Sequence, residues 1–387
     1  MKKKWLGMIL VIALGTTLFT GCGSSSGGDS VIKIGHAVAL TGDNSIWGMS
    51  EKNALDMEVA KINEKGGVLG KKIQLISYDT RGDATEGVNA TKRLISDKVC
   101  AIIGPGQSGV AIAMTSVTEP AKVPFIATSA TNPKVTVNEK TNKVNKYAFR
   151  TCFIDPFQGT VAAQFAAKEL KLKTAAIIYD VGSDYSSFLG KYFVDEFEKQ
   201  GGKIVANEAF RSGELDFRAI LGKIKETQPE IIFIPTQQKE ASLIMKQSAD
   251  LGIKTKFIGG DGWASPDLVT LGGSAVEGSY FVNIASVEDP DIQGFISDYK
   301  AKYNEEPVMP NPVLAIDALQ AIIDAIEKTN GTDSAKIAEQ LEKTKDLPTL
   351  TGKLTIDPAT HNPLNKPAII QEVKDGQFKL FKKYVTQ

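Results

Sequence analysis

The sequence predicts an α/β protein of two lobes, each a parallel-type sheet covered by helices, joined by a hinge that the chain crosses more than once. Three observations carry this. Short apolar, β-branched runs alternate with amphipathic stretches of helical period, the pattern of parallel strands linked by crossover helices. The alternation runs through twice, and the first helix of each round stops alike, at Asn63-Glu64-Lys65-Gly66-Gly67 and Glu198-Lys199-Gln200-Gly201-Gly202. The segments after residue 280 extend neither round in order, so they must return to elements already built.

In the first round, Val31–Leu40 reads as a strand. Ser50–Lys65 reads as a helix with Leu55, Val59 and Ile62 on one face and Gly66-Gly67 as its stop. Strand Lys72–Tyr78, helix Ala84–Asp97, strand Cys100–Ile103, helix Val110–Glu119 and strand Pro124–Thr128 follow. The second round repeats the plan. It runs through strand Thr174–Tyr179, helix Phe188–Gln200, strand Lys203–Ala206, helix Phe217–Glu226, strand Glu230–Ile234, helix Ala241–Leu251 and strand Lys256–Ile258. The remaining pieces are strand Tyr280–Ile284, helix Leu314–Lys328 with Ala315, Leu319, Ile322, Ile323 and Ile326 buried, and strand Leu354–Ile356. Pro367–Lys382 is expected as a hairpin turning at Asp375-Gly376. This places 31–154 plus 284–356 in an N-terminal lobe and 155–283 plus 357–387 in a C-terminal lobe.

Composition narrows the class. A chain of 387 residues suits two medium domains, and 42% hydrophobic with 23% charged residues is that of a folded globular protein. With 45 basic against 45 acidic side chains there is no bulk field to draw nucleic acid or an anionic membrane. Three cysteines and two histidines make disulfide scaffolds and zinc sites poor readings, and neither a metal nor another cofactor is expected. Cys100 and Cys152 read as small buried hydrophobes, their pairing left open.

The leader has its own logic. Lys2, Lys3 and Lys4 precede Trp5–Phe19, an uncharged and mostly apolar run shorter than the roughly 20 residues that span a bilayer core. That is the form of a secretory signal, expected over 1–21. Leu18-Phe19-Thr20-Gly21-Cys22 resembles a bacterial lipobox, with Phe19 where that pattern usually has Leu. The resemblance makes Cys22 the lipid-modified first residue of the exported chain, and the Gly/Ser-rich stretch to residue 30 a flexible tether. Without the three signal lysines, 42 basic side chains face 45 acidic ones, a net charge of −3.

In open parallel sheets, ligands bind beyond the carboxyl ends of the strands. Those ends are Asp43–Trp47, Gly104–Gly109 and Ser129–Asn132 in the first round. In the second they are Ser183-Asp184-Tyr185, Pro235–Gln238 and Gly259–Trp263. Gly104-Pro105-Gly106-Gln107-Ser108-Gly109 also spells a dinucleotide fingerprint, but it follows the third strand, and no carboxylate ends the next one. What survives is a glycine-rich approach to a helix N-terminus, suited to one carboxylate. Asp261, between glycines, is placed to receive an ammonium group, or else to satisfy its own turn. Trp47, Tyr185 and Trp263 could clamp a ligand or fill the core. Asp155 and Gln158 fit a helix-start cap. His36 and His361 suggest no general base, and no nucleophile elbow, His-Glu-x-x-His helix or Cys-x-x-Cys pair occurs.

Taken together, Ile32-Lys33-Ile34-Gly35, Gly66–Ile73, Ile102-Ile103-Gly104-Pro105, Ala130-Thr131-Asn132-Pro133 and Ala315-Ile316-Asp317-Ala318 resemble the leucine/isoleucine/valine-binding family of ABC importers. That resemblance implies the type I periplasmic binding protein fold, two Rossmann-like lobes around a cleft. It implies a monomeric, membrane-tethered, non-enzymatic protein that hands an amino acid to an ABC permease. It matches Ser108 and Thr131 to the ligand carboxylate, Thr131 also to the ammonium, and the Ser129-Ala130 backbone to a neighbouring carbonyl contact. Asp261 matches the acid that pairs with the ammonium, and Trp47 and Tyr185 match the aromatics flanking the side-chain pocket. Gln237 stands where branched-chain binders tend to place an aromatic, which leaves room for a polar or larger side chain. The alternatives are the same fold holding an amide, urea or an aromatic acid, a secreted enzyme, or a receptor domain, which would carry a membrane-spanning run after Ile284.

Overall fold

The computed structural model describes residues 31–384; the expected signal, the tether and Cys22 lie outside the described residues. β1 (Val31–Val38), α1 (Ser45–Glu64), β2 (Lys72–Asp79), α2 (Ala84–Ser96), β3 (Ile102–Ile103), α3 (Ser108–Ala121) and β4 (Phe125–Ala127) follow one another as strand and crossover helix. A small hairpin, β5 (Val137–Asn138) with β6 (Lys143–Val144), leads to β7 (Ala148–Arg150). The first sheet has the order β2-β1-β3-β4-β7 and is parallel throughout. Periodicity does not single out β7, because its three fully buried residues include a charged one, Arg150.

The second round is entered through α4 (Asp155–Gln164), which ends in a π-helical turn at Phe165–Glu169. It continues through β8 (Thr174–Asp180), α5 (Asp184–Lys199), β9 (Lys203–Phe210), α6 (Arg218–Thr227) and β10 (Ile231–Ile234). Then come α7 (Gln238–Asp250), β11 (Lys256–Gly259), α8 (Asp267–Gly272) and β12 (Tyr280–Asn283). Both helices that open a round start earlier than their apolar periodicity suggests. α1 begins at Ser45 and α5 at Asp184, so Trp47 and Tyr185 ride on first helical turns and not on loops. For α5 the reason is a cap: Ser183 Oγ accepts from the backbone N–H of Ser186 at 3.2 Å.

The last segments are α9 (Gln293–Tyr303), α10 (Asn311–Thr329), α11 (Ser334–Leu341), β13 (Leu347–Thr349), β14 (Gly352–Leu354), β15 (Ala368–Lys374) and β16 (Gln377–Tyr384). The strand expected at Leu354–Ile356 is displaced: Leu354 closes the two-stranded β13-β14 hairpin, and Ile356 makes one isolated bridge to Pro363. β15 and β16 extend the second sheet to the order β16-β15-β12-β11-β10-β8-β9, with β12-β15 and β15-β16 antiparallel at that edge. α10 returns to the first lobe and packs on α1, burying Ala315, Leu319, Ile322 and Ile326 beside Leu55 and Val59; Ile323 is only partly buried. Cys100 and Cys152 are buried free thiols. Among the described residues no helix is long and apolar enough to cross a membrane.

The chain passes between the two sheets three times, after β7, after β12 and before β15. The third passage is pinned by a buried ion pair: Lys366 Nζ donates to Asp317 Oδ2 of α10 at 2.9 Å, and the Thr351 backbone N–H donates to Asp317 Oδ1 at 3.1 Å. Removing one member of a buried pair strands the other charge. Lys366→Met is therefore expected to destabilise the protein by about 3–5 kcal/mol. The double variant Lys366→Met/Asp317→Leu should recover much of that loss, and urea unfolding followed by circular dichroism reads both.

Candidate ligand-binding site

One wall of the cleft is the loop from β3 into α3. Gly104 has φ +87°, and a Cβ there would sit 2.3 Å from the Ala37 carbonyl oxygen, so only glycine fits. The loop delivers Ser108 as the first residue of a 14-residue helix. The backbone N–H groups of Ser108, Gly109 and Val110 have no intrahelical acceptor; the first intrahelical bond runs from Ala111 N–H to Gln107 O. Together with the helix dipole they form an end that favours one negative charge. Ser108 Oγ accepts from the Asn132 backbone N–H at 3.2 Å.

The facing wall is the turn after β11. Asp261 is only 6% exposed, and no Lys or Arg lines the cavity beside it. Its Oδ1 accepts from Tyr185 Oη and from Gln158 Nε2, both at 2.9 Å, while Oδ2 has no protein partner. Tyr185 Oη in turn accepts from the Gly262 backbone N–H at 3.2 Å, which commits the phenol proton to Asp261. Burial pushes the carboxyl up to about 6, against the pull of the Gln158 and Tyr185 hydrogen bonds. A carboxylate so placed lacks a cation.

Asp155 and Gln158 differ from the cap reading. Asp155 is the first residue of α4, the preceding Ile154 is the cap position, and no side-chain cap bond forms there. The Asp155 carboxylate is fully buried without a hydrogen-bond partner. Its pKa is raised well above the ordinary carboxylate range by burial and by the negative charge of Asp261; the nearby Thr131 hydroxyl opposes the shift without closing a hydrogen bond. Gln158, one turn on, reaches Asp261 instead of its own helix end. Behind them Arg150 is fully buried and donates to the carbonyls of Ala130 and Asn132, both at 2.7 Å, which holds the loop after β4.

These walls enclose a cavity of about 490 Å³, within the usual range of roughly 300–1,000 Å³ for small-molecule sites. Of the residues expected at the site, Trp47, Ser108, Ser129, Tyr185, Gln237 and Asp261 line it. Ala130 and Thr131 do not: both are fully buried, with the Ala130 carbonyl taken by Arg150 and the Thr131 hydroxyl unpartnered. Trp263 belongs to the core of the second lobe, its indole N–H donating to Ile234 O at 3.1 Å. Sequence reasoning missed Asn311 and Gln107 as lining residues. Gln107 lay inside the glycine-rich loop, whereas Asn311 begins a helix distant in sequence and carried no local signal.

The lobes meet across the cleft. Trp47 Nε1 donates to Ala264 O at 3.0 Å, Asn132 Nδ2 to Asp184 O at 2.8 Å, and Lys239 pairs with Asp43 at 2.8 Å. The model of the periplasmic binding proteins matches residues 31–377. This chain belongs to that family. The family is one of extracytoplasmic solute-binding proteins serving ABC transporters. The chain is 32% identical over 327 residues to the Leu/Ile/Val-binding protein BraC3 of Rhizobium johnstonii, covering 84% of this chain and 87% of that one. The branched-chain amino acid transporter substrate-binding protein LivJ of Streptococcus pneumoniae, solved in complex with isoleucine, superposes with a TM-score of 0.83. It is 30% identical, with 92% of this chain and 99% of that chain covered. A solute-binding protein of Rhodopseudomonas palustris, in complex with 3,4-dihydroxybenzoic acid, superposes at 0.79 with 25% identity, covering 92% and 98%.

Folding raises the Asp261 pKa from 3.8 to about 6. The ionised carboxylate thus opposes folding at neutral pH, by up to about 3 kcal/mol, and this deficit disappears as pH falls from 6 towards 4. Asp261→Asn is expected to raise the ligand-free melting temperature by a few degrees at pH 7.5 and by almost nothing at pH 4, as scanning calorimetry will read.

Proposed function

We propose that this solute-binding protein captures an α-amino acid, branched-chain or related, between its lobes and delivers it to an ABC permease. The observation that carries the reading is the convergence on one cavity of two opposite sites. One is a helix N-terminus with free N–H groups at Ser108; the other is the buried Asp261 carboxylate, whose Oδ2 has no partner. A zwitterion loses strong hydration on entering a cleft, and only charged or dipolar partners at both ends offset that loss. Hydrogen bonds to charged groups contribute roughly 1.5–3 kcal/mol each. A few of them with side-chain burial reach the roughly −8 kcal/mol of micromolar binding.

The partners come from both lobes, so the ligand favours the closed arrangement and a permease can tell loaded from empty protein. Lipid attachment at Cys22 and the tether to residue 30 would hold the protein at the outer face of the membrane. The protein is read as a monomeric binder and not a catalyst. The second reading, an aromatic acid or an amide, draws on the dihydroxybenzoate-bound relative. Against it stands Asp261, which would repel a ligand that is only a carboxylate and which a neutral amide, bringing no cation, would leave uncompensated.

A thermal-shift screen of the twenty amino acids with benzoates and amides, followed by titration calorimetry, tests this. An α-amino acid is expected to bind, and Asp261→Ala to weaken it at least a hundredfold with an unchanged circular dichroism spectrum. Binding of an aromatic acid alone would end the proposal. Because the ammonium needs Asp261 ionised, the affinity of the intact protein is expected to fall about tenfold for each pH unit below 6. A flat titration between pH 7.5 and 5 would remove Asp261 from the ammonium site.

A further inference from the structure

Ser108 and Asp261 account for the ligand's own carboxylate and ammonium and leave the rest of the cavity lining to its side chain. The same cavity is also lined by four carboxamides, Asn44, Gln107, Gln237 and Asn311, together with Trp47 and Pro310. Among the described residues, the side chains of Asn44, Gln107 and Gln237 make no hydrogen bond to protein, and Gln107 Oε1 is wholly buried without a partner. Asn311 is the exception, and it is informative. Its Nδ2 donates at 2.8 Å to Glu51 Oε2, a buried carboxylate that also accepts from Thr128 Oγ1 at 3.2 Å and lies 3.2 Å from His36 Nε2. A carboxylate only accepts from an amide, so the Asn311 flip is fixed and its Oδ1 is left as a free acceptor.

An aliphatic side chain laid against these groups would leave their hydrogen bonds unmade, and each buried polar group so stranded is unfavourable. A charged side chain fares no better. No Lys or Arg lines the cavity to meet an anion. Of the two lining acids other than Asp261, Asp83 Oδ1 caps α2 by accepting from Thr85 and Glu86 N–H groups, and Asp184 faces Lys134 at 3.8 Å. Resting on the amino-acid reading above, we propose that the side-chain end of this site selects a neutral side chain with an N–H donor, a carboxamide, over a branched aliphatic one. Asn311 Oδ1 accepts from the ligand amide, and Gln107 and Gln237, free to present either end, complete its pairing.

Titration calorimetry on the exported chain with glutamine, asparagine, leucine, isoleucine, valine, glutamate and lysine decides this. Glutamine or asparagine is expected to bind at least tenfold tighter than any of the others. The double variant Gln107→Leu/Gln237→Leu is expected to lose at least tenfold for the carboxamide and to gain for leucine, while Asp261→Asn weakens both classes alike. Tightest binding of an aliphatic, anionic or cationic amino acid would overturn the carboxamide assignment and leave the amino-acid reading standing. Binding of no α-amino acid at all would overturn both.

Discussion

The site depends on a buried negative charge that the protein does not neutralise. Asp261 is held on one oxygen by Tyr185 and Gln158, and its other oxygen is left without a partner. Hydrogen bonds, led by those of Gln158 and Tyr185, moderate the burial and do not cancel it, which is why the carboxyl is pushed up to about 6. An ionised group in that state is unfavourable until a cation arrives. The unfavourable state of the empty site is thus what gives a cationic group of the ligand its advantage, because its arrival removes a defect already present.

The rest of the construction keeps that charge in place. Tyr185 sits in the first turn of a helix capped by Ser183, so its hydroxyl position is set by the helix start. Gln158 is carried by α4, which packs along α5; a Cβ at Gly159 would come 2.8 Å from the Phe193 backbone nitrogen, so the close approach of the two helices requires a glycine there. Arg150 on β7 ties down the carbonyls behind the opposite wall. Asp155 adds a second buried acid close enough to feel Asp261, and burial together with that repulsion keeps its pKa high.

Much of this was legible in residue order. Alternating apolar runs and amphipathic stretches indicated the parallel strands, because a strand buried on both faces must be apolar throughout. Strand ends indicated Ser108 and Asp261, since loops beyond the carboxyl edge are where such sheets leave backbone groups free. The short buried β7 was not legible, because one of its three residues, Arg150, is charged and breaks the apolar run that marked β3 and β4. The start of α5 was not legible either, because a capping residue such as Ser183 looks like a turn residue until a backbone N–H is seen to use it.

Residue order alone set the α/β class, the doubled plan and the chemistry available at each strand end, because periodicity and turn residues act locally. Which of those groups meet was decided only by tertiary structure. Asp155 and Gln158 looked like a cap and became neighbours of Asp261, while Ala130 and Thr131 withdrew behind the wall. Asn311, hundreds of residues from Asn44, came to share a cavity with it. Whether a polar atom is satisfied depends on atoms brought from distant parts of the chain, and no local pattern records that.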